Sequence, residues 1–137
     1  MTTAEEKKLL RRKLRQQARS LSAGEKAISD GKIINRLLTL PAYHRAGTVF
    51  CFVSTPWEID TRPLLDDVLA TGRRLCVPRA LAGGHMELAV IRSMDDLTPG
   101  AYDILEPRAG CTLLTAGEVD FAVIPCLSCD RGGHRLG

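Results

Sequence analysis

Thr48-Val49-Phe50-Cys51-Phe52-Val53, then a helical stretch that opens near Pro63 and carries Leu64, Leu65, Val68 and Leu69, then Leu75-Cys76-Val77-Pro78: this segment decides the fold class. The first run is continuously apolar and rich in β-branched residues, the pattern of a strand buried on both faces. Asp60 or Thr61 can cap the helix, Pro63 suits its first turn, and Gly72 is a natural stop. A second buried strand at Leu75–Pro78 closes a β-α-β unit, and such units build sheets covered by helices.

Working outward, residues 4–19 contain no Pro or Gly, and Leu9, Leu10, Leu14, Ala18 and Leu21 recur at helical spacing between basic residues. Ser22 with Glu25 fits a capping box, so a second helix runs through Ile28, Ile33, Ile34, Leu37 and Leu38 and stops before Pro41. Beyond the β-α-β unit, residues 82–85 form a turn and Met86–Ile91 a strand. Asp95-Asp96-Leu97 is a turn or short helical segment. Residues 100–110, preceded by Pro99 and holding Pro107, read as an ordered loop, and Phe121–Ile124 reads as the last strand. The whole gives one α/β domain over residues 1–137, with a mainly parallel sheet flanked by helices in three layers.

Composition narrows the function classes. The chain has 137 residues, 45% of them hydrophobic, enough for one domain with its own core. Residues 1–26 carry eight Lys/Arg against three Glu, while the rest carries eleven against thirteen Asp/Glu, so the positive charge is local. A basic segment attracts nucleic acid, an anionic membrane or a phosphorylated small molecule. Only 4% of residues are aromatic and no basic stripe continues past residue 26, which argues against nucleic acid. No apolar run reaches the roughly 20 residues that span a bilayer, so no membrane partner is expected. Five cysteines, an odd number, and no signal-like N-terminal stretch point to reduced thiols and a cytoplasmic protein.

Three places carry candidate chemistry. Lys7 and Arg11 lie one helical turn apart and share a face, where they form either a solvated basic surface or a pair reaching one polyphosphate. Glu58 follows a buried strand, at the edge where α/β proteins bind ligands. Arg131-Gly132-Gly133-His134-Arg135-Leu136-Gly137 follows another strand, and glycines there let backbone N–H groups approach a phosphate. Cys126-x-x-Cys129 has the spacing of a redox pair or half a zinc site, but Cys111, Asp130 and His134 complete no standard pattern, so no metal site is expected.

Four segments together resemble the 5-formyltetrahydrofolate cyclo-ligases, also called methenyltetrahydrofolate synthetases. They are Lys7-x-x-Leu10-Arg11; Val53-Ser54 through Glu58-Ile59-Asp60-Thr61; the stretch from Gly100 ending Ile104-Leu105-Glu106-Pro107; and Asp120 through Gly137. The resemblance implies that Lys7 and Arg11 contact ATP, that Arg135, Leu136 and Gly137 begin an ATP-binding glycine loop, and that Val53 and Glu58 hold the folate. Tyr102 stands where the family often has an aromatic residue near the folate, although a core or surface tyrosine fits as well. The reaction implied is ATP-dependent cyclisation of 5-formyltetrahydrofolate to 5,10-methenyltetrahydrofolate, with Mg²⁺, releasing ADP and phosphate. No protein nucleophile or tuned base is required, so no catalytic residue is singled out, and no obligate protein partner is expected.

The chain also departs from the family pattern. It supplies Asp130, Gly133, Arg135, Leu136 and Gly137 and lacks the glycines, paired tyrosines and acidic residue that usually follow. Pro125-Cys126 and Cys129 stand where Pro-Gly and an aromatic residue are usual, and Asp103 replaces a glycine. The expectation is a domain incomplete at its C-terminus, with an uncovered strand edge or apolar face, and the alternative to an enzyme is an inactive folate-binding remnant.

Overall fold

The structure is a computed structural model that describes residues 1–100 and 104–137. Its elements begin with helices α1 (Thr3–Arg19), α2 (Ala23–Leu38) and α3 (Pro41–Arg45). Strand β1 (Thr48–Cys51), helix α4 (Arg62–Ala70), β2 (Arg74–Ala80) and β3 (Met86–Ile91) follow. The remainder is β4 (Leu97–Pro99), β5 (Leu105–Pro107), β6 (Leu113–Leu114), β7 (Phe121–Val123), β8 (Ser128–Cys129) and β9 (Arg135–Leu136).

The β-α-β unit forms as its pattern dictates. β1 and β2 pair in parallel, Val49 opposite Leu75, with α4 crossing between them. β7 joins the other side of β1, also in parallel, with Val49 opposite Phe121. The sheet order β6-β3-β2-β1-β7 is nevertheless mixed, because β3 returns antiparallel to β2 and β6 antiparallel to β3. The short turn at residues 82–84, with Gly83 and Gly84 both at positive φ, makes that return a hairpin and leaves no length for a crossover helix. The α/β sheet flanked by helices expected from the sequence thus contains an antiparallel half that apolar patterning does not distinguish.

One face of the sheet carries the core. Val49, Cys51, Leu75, Val77 and Ile91 alternate inward and meet Ile34 of α2, Tyr43 of α3, and Leu64, Leu65 and Val68 of α4. Full burial of each such aliphatic side chain stabilises by about 1.5–3 kcal/mol. The opposite face carries an open apolar groove of about 370 Å³ that includes Phe50, Met86, Leu88, Ala122 and Ile124. Among the described residues β7, at the end of the sheet order, pairs with β1 alone.

Local signals explain the helix ends. Ser22 Oγ accepts from Glu25 N and the Glu25 carboxylate accepts from Ser22 N, each at 3.1 Å, which is the reciprocal capping box. α1 begins with the same device at Thr2 and Glu5, yet none of its residues is buried. Pro41 stops α2 as expected and also opens α3, which the sequence reading passed over. Thr61 is the residue before α4, but its hydroxyl does not cap the helix; Asp60 Oδ1 accepts from Arg62 N at 3.0 Å instead.

Two readings are corrected. The stretch 100–110 contains β5, which pairs with β4 and places Leu97 opposite Pro107. Phe121–Val123 is followed by a further hairpin of β8 and β9, with Ser128 opposite Leu136 and Cys129 opposite Arg135. Both hairpins use strands of two or three residues, too short for alternation to register.

Candidate functional site

The parallel strands β2, β1 and β7 end on one sheet edge, the edge where α/β proteins bind ligands. Phe52 N donates to Val123 O at 3.4 Å, so the exits of β1 and β7 lie side by side. The β1 exit becomes the loop from Ser54 to Thr61, and the β7 exit leads into the β8–β9 hairpin.

The first loop is closed at its base by reciprocal bonds. Ser54 N donates to Thr61 Oγ1 at 3.2 Å, and Thr61 N donates to Ser54 Oγ at 3.0 Å. The Thr61 hydroxyl in turn donates to Phe52 O at 2.9 Å, and Thr61 is only 1% exposed. Within the loop, Glu58 N donates to Thr55 O at 3.1 Å, while Glu58 Oε1 accepts from Thr55 N at 3.0 Å and Thr55 Oγ1 at 3.1 Å. The second carboxylate oxygen of Glu58 makes none of these bonds and remains able to accept from a ligand. Val53 is half-buried, packed on the core at the root of the loop, and Trp57 at its tip lies under the Arg19 guanidinium, 5.0 Å from the ring centre.

The second exit is a compact hairpin. Asp130 Oδ1 accepts from Gly132 N and His134 N, both at 2.9 Å, and the His134 ring nitrogen lies 3.0 Å from Asp130 Oδ2. The His134 backbone N–H is the largest of the influences that hold the Asp130 carboxyl below its usual range. Arg135 sends its guanidinium to Pro125 O at 2.9 Å. Gly137 has φ +102°, and a Cβ there would come within 2.9 Å of Leu127 N, so this approach admits only glycine. Leu136 is half-buried, and its carbonyl accepts from Leu127 N at 2.8 Å.

The structure therefore places Val53 and Glu58 in one loop, with the Arg135, Leu136 and Gly137 hairpin leaving the neighbouring strand. Lys7 and Arg11 share α1, whose far end meets Trp57 through Arg19. At 1.5 Å rise per residue, Lys7 lies about 18 Å and Arg11 about 12 Å along the helix from Arg19. No hydrogen bond or ion pair joins Lys7 or Arg11 to either exit among the described residues. Tyr102 lies outside the described residues. Cys126 and Cys129 are both exposed, and burial together with the neighbouring Cys129 pushes the Cys126 thiol up. Among the described residues no three His, Cys, Asp or Glu side chains converge as metal ligands.

The family model for the 5-formyltetrahydrofolate cyclo-ligase family matches residues 3–137. The chain belongs to that family. The mouse 5-formyltetrahydrofolate cyclo-ligase is 26% identical over 144 residues, covering 100% of this chain and 71% of its own length. The enzyme of Escherichia coli K12 is 26% identical over 127 residues, covering 90% of this chain and 70% of its own. The 5,10-methenyltetrahydrofolate synthetase of Aquifex aeolicus superposes with a TM-score of 0.83 at 30% identity, covering 96% of this chain. This chain spans 66% of that structure's length. The Mycoplasma pneumoniae synthetase, 17% identical with a TM-score of 0.73, shares the fold.

Against the cyclo-ligase motifs, Asp30 escaped the sequence reading, and Thr61 was read as a possible helix cap and a motif residue, without its inward bond. Asp30, in the middle of α2, accepts from Asp60 N at 3.1 Å and also receives the Lys26 ammonium. Thr61 locks the loop from inside. The signal for Asp30 was its type: an aspartate is a poor interior helix residue, and a buried one needs partners.

Proposed function

We propose that this chain carries the folate-side and part of the nucleotide-side machinery of an ATP-dependent cyclo-ligase converting 5-formyltetrahydrofolate to 5,10-methenyltetrahydrofolate with release of ADP and phosphate. The observation that carries the reading is the closed loop from Ser54 to Thr61, which presents Glu58 at the C-terminal edge of β1 with one carboxylate oxygen uncommitted among the described residues. A carboxylate in that place accepts the N–H groups of a pterin edge, and Val53 supplies an apolar wall at the root of the loop.

The chemistry needs an activated formyl oxygen. Transfer of the ATP γ-phosphoryl group to that oxygen makes it a leaving group, N10 attacks the formyl carbon, and phosphate departs as the ring closes. Phosphoryl transfer depends chiefly on positioning and on neutralising charge, the work assigned to Lys7, Arg11 and Arg135, with Leu136 and Gly137 letting backbone approach the phosphates. The described residues do not fit a resident metal site: Asp130, beside the hairpin, already accepts two backbone N–H groups. Mg²⁺ belongs to this reading as part of the MgATP co-substrate, held by the phosphates. The five free thiols support a reducing, cytoplasmic setting.

A second reading is favoured by the hairpin itself. The N–H groups of Gly132 and His134 and one arm of Arg135 are bound within the chain, whereas the Glu58 loop is ready for its ligand. On that reading the chain binds reduced folate without turning over ATP.

The test is the absorbance rise of methenyltetrahydrofolate on mixing the chain with 5-formyltetrahydrofolate and MgATP, against an ATP-free control. A rise that needs ATP supports the enzyme. Lys7→Ala should then raise the ATP requirement severely, and Glu58→Ala should chiefly weaken folate binding. Folate binding without turnover selects the second reading, and normal behaviour of both variants overturns the assignments.

A further inference from the structure

We propose that Asp30 is a positioning residue for Glu58: through the Asp60 amide it fixes the loop from Ser54 to Thr61 to helix α2, so that the folate-binding carboxylate is held in place before the ligand arrives. The inference rests on the reading that Glu58 contacts the folate.

An irregular loop left to itself samples many conformations, and freezing each residue costs about 1–2 kcal/mol. Here three fixings act at different points. The Ser54–Thr61 bonds close the base, the Thr55–Glu58 bonds fold the interior, and the Asp30–Asp60 bond tethers the descending arm two residues after Glu58. The first two lie within the loop and its root and set only its internal shape. The third comes from another element and joins the arm to α2 by a hydrogen bond from a nearly buried side chain, while the tip meets α1 through the Arg19 guanidinium over Trp57.

Asp30 is suited to that task. It is 8% exposed, and one turn further along the same helix Ile34 is in the core, so the carboxylate rides on a docked segment of α2. The Lys26 ammonium, one turn earlier, supplies the counter-charge a nearly buried carboxylate needs. Only one oxygen, Oδ2, takes both Lys26 and the Asp60 N–H, which makes this a charge-assisted bond to backbone. No nearer part of the helix contributes a described side-chain bond to the loop. A loop ordered in advance binds more tightly because the ordering does not have to occur on binding.

The experiment pairs amide hydrogen exchange with equilibrium titration of 5-formyltetrahydrofolate on the full chain. In Asp30→Ala the amides of residues 55–60 should exchange at least about tenfold faster while those of Val49 to Cys51 stay protected, and folate affinity should fall about tenfold. Asp30→Asn keeps an oxygen for the Asp60 amide and should recover most of both. Because Asp30 acts through Glu58, Asp30→Ala added to Glu58→Gln should weaken binding far less than the product of the single effects. Should Asp30→Ala fail to fold, Asp30→Ser, whose hydroxyl stops about one bond short of the amide, gives the same readings. Unchanged exchange in the loop, or fully multiplicative losses in the double variant, overturns the positioning role. Wild-type affinity in Glu58→Gln instead overturns the folate reading, and it does so in the titration alone, whereas the anchoring is read from exchange.

Discussion

Replacing Thr61 by valine removes a hydroxyl and leaves the shape, so its cost measures the hydrogen bonds that close the site loop. Thr61 is 1% exposed, and its hydroxyl donates to Phe52 O at 2.9 Å while accepting from Ser54 N at 3.2 Å. Valine strands both groups. A buried polar group without a partner costs about 1–3 kcal/mol, so two would cost about 2–6 kcal/mol. Phe52 O keeps a weak thiol donor, Cys51 Sγ at 3.3 Å, and Ser54 N is only partly buried, which places the expected loss near the lower end, about 2–3 kcal/mol. For a chain of this size each kcal/mol moves Tm by roughly 3–5 °C, so Thr61→Val should melt roughly 10 °C lower. Thr61→Ser keeps the hydroxyl and loses a methyl group, at about 1 kcal/mol. Thermal melts followed by circular dichroism, with urea unfolding for the same series, decide the matter. A Thr61→Val protein as stable as wild type, or more stable than Thr61→Ser, would refute the claim that these bonds hold the loop.

Three further outcomes are expected. With a thiol reagent at mildly alkaline pH, Cys126 and Cys129 should react first; Cys51 and Cys76, buried and with thiols pushed up to about 12 and about 11, should react only on unfolding. Cys126→Ser should therefore remove one fast equivalent, and an unchanged fast phase would contradict the exposure. The Asp96 carboxyl lies below its ordinary 3.8, held first by the Arg92 backbone N–H and then by Arg108. A depressed folded value favours the charged form in the native state, so this contribution is present above the unfolded value and is lost as pH falls through the folded one. The Tm gap between wild type and Asp96→Asn should be constant above about pH 5 and close on acidification below the ordinary carboxylate range; a gap unchanged down to about pH 2 would be inconsistent with it. Finally, among the described residues β7 is paired on one side alone, beside the apolar groove, and such edges pair with other chains. The chain should therefore associate with rising concentration in sedimentation and Ile124→Lys should reduce that association; a wild-type chain that stays monomeric, or an unchanged profile in the variant, would refute the role of this edge.

Residues 48–78 show how far the chain declares itself. A continuous apolar run, a proline in the first turn of a helix and a second apolar run settle a right-sized β-α-β unit, because each signal is read within a few residues of itself. The capping box at Ser22 settled the start of α2 in the same local way, and the family motifs single out Lys7, Glu58 and Arg135 as candidates by residue type and spacing. Direction and partnership are different quantities. Met86–Ile91 reads equally well as a parallel or an antiparallel strand; only the hairpin at residues 82–84 and the pairing with β2 make it antiparallel. Pro41 both ends one helix and begins another, and the local pattern shows only the ending.

The site divides along the same line. The sequence by itself determined which carboxylate follows the first buried strand. Only the tertiary structure decided what holds it there, since the Thr61 hydroxyl turns inward to Phe52 O and does not cap α4, and Asp30 reaches an amide 30 residues away. Periodicity and capping are short-range effects of backbone geometry, so a sequence displays them directly. A hydrogen bond between distant segments exists only after the core has brought α2 and the β1 exit together, and no local pattern records that meeting.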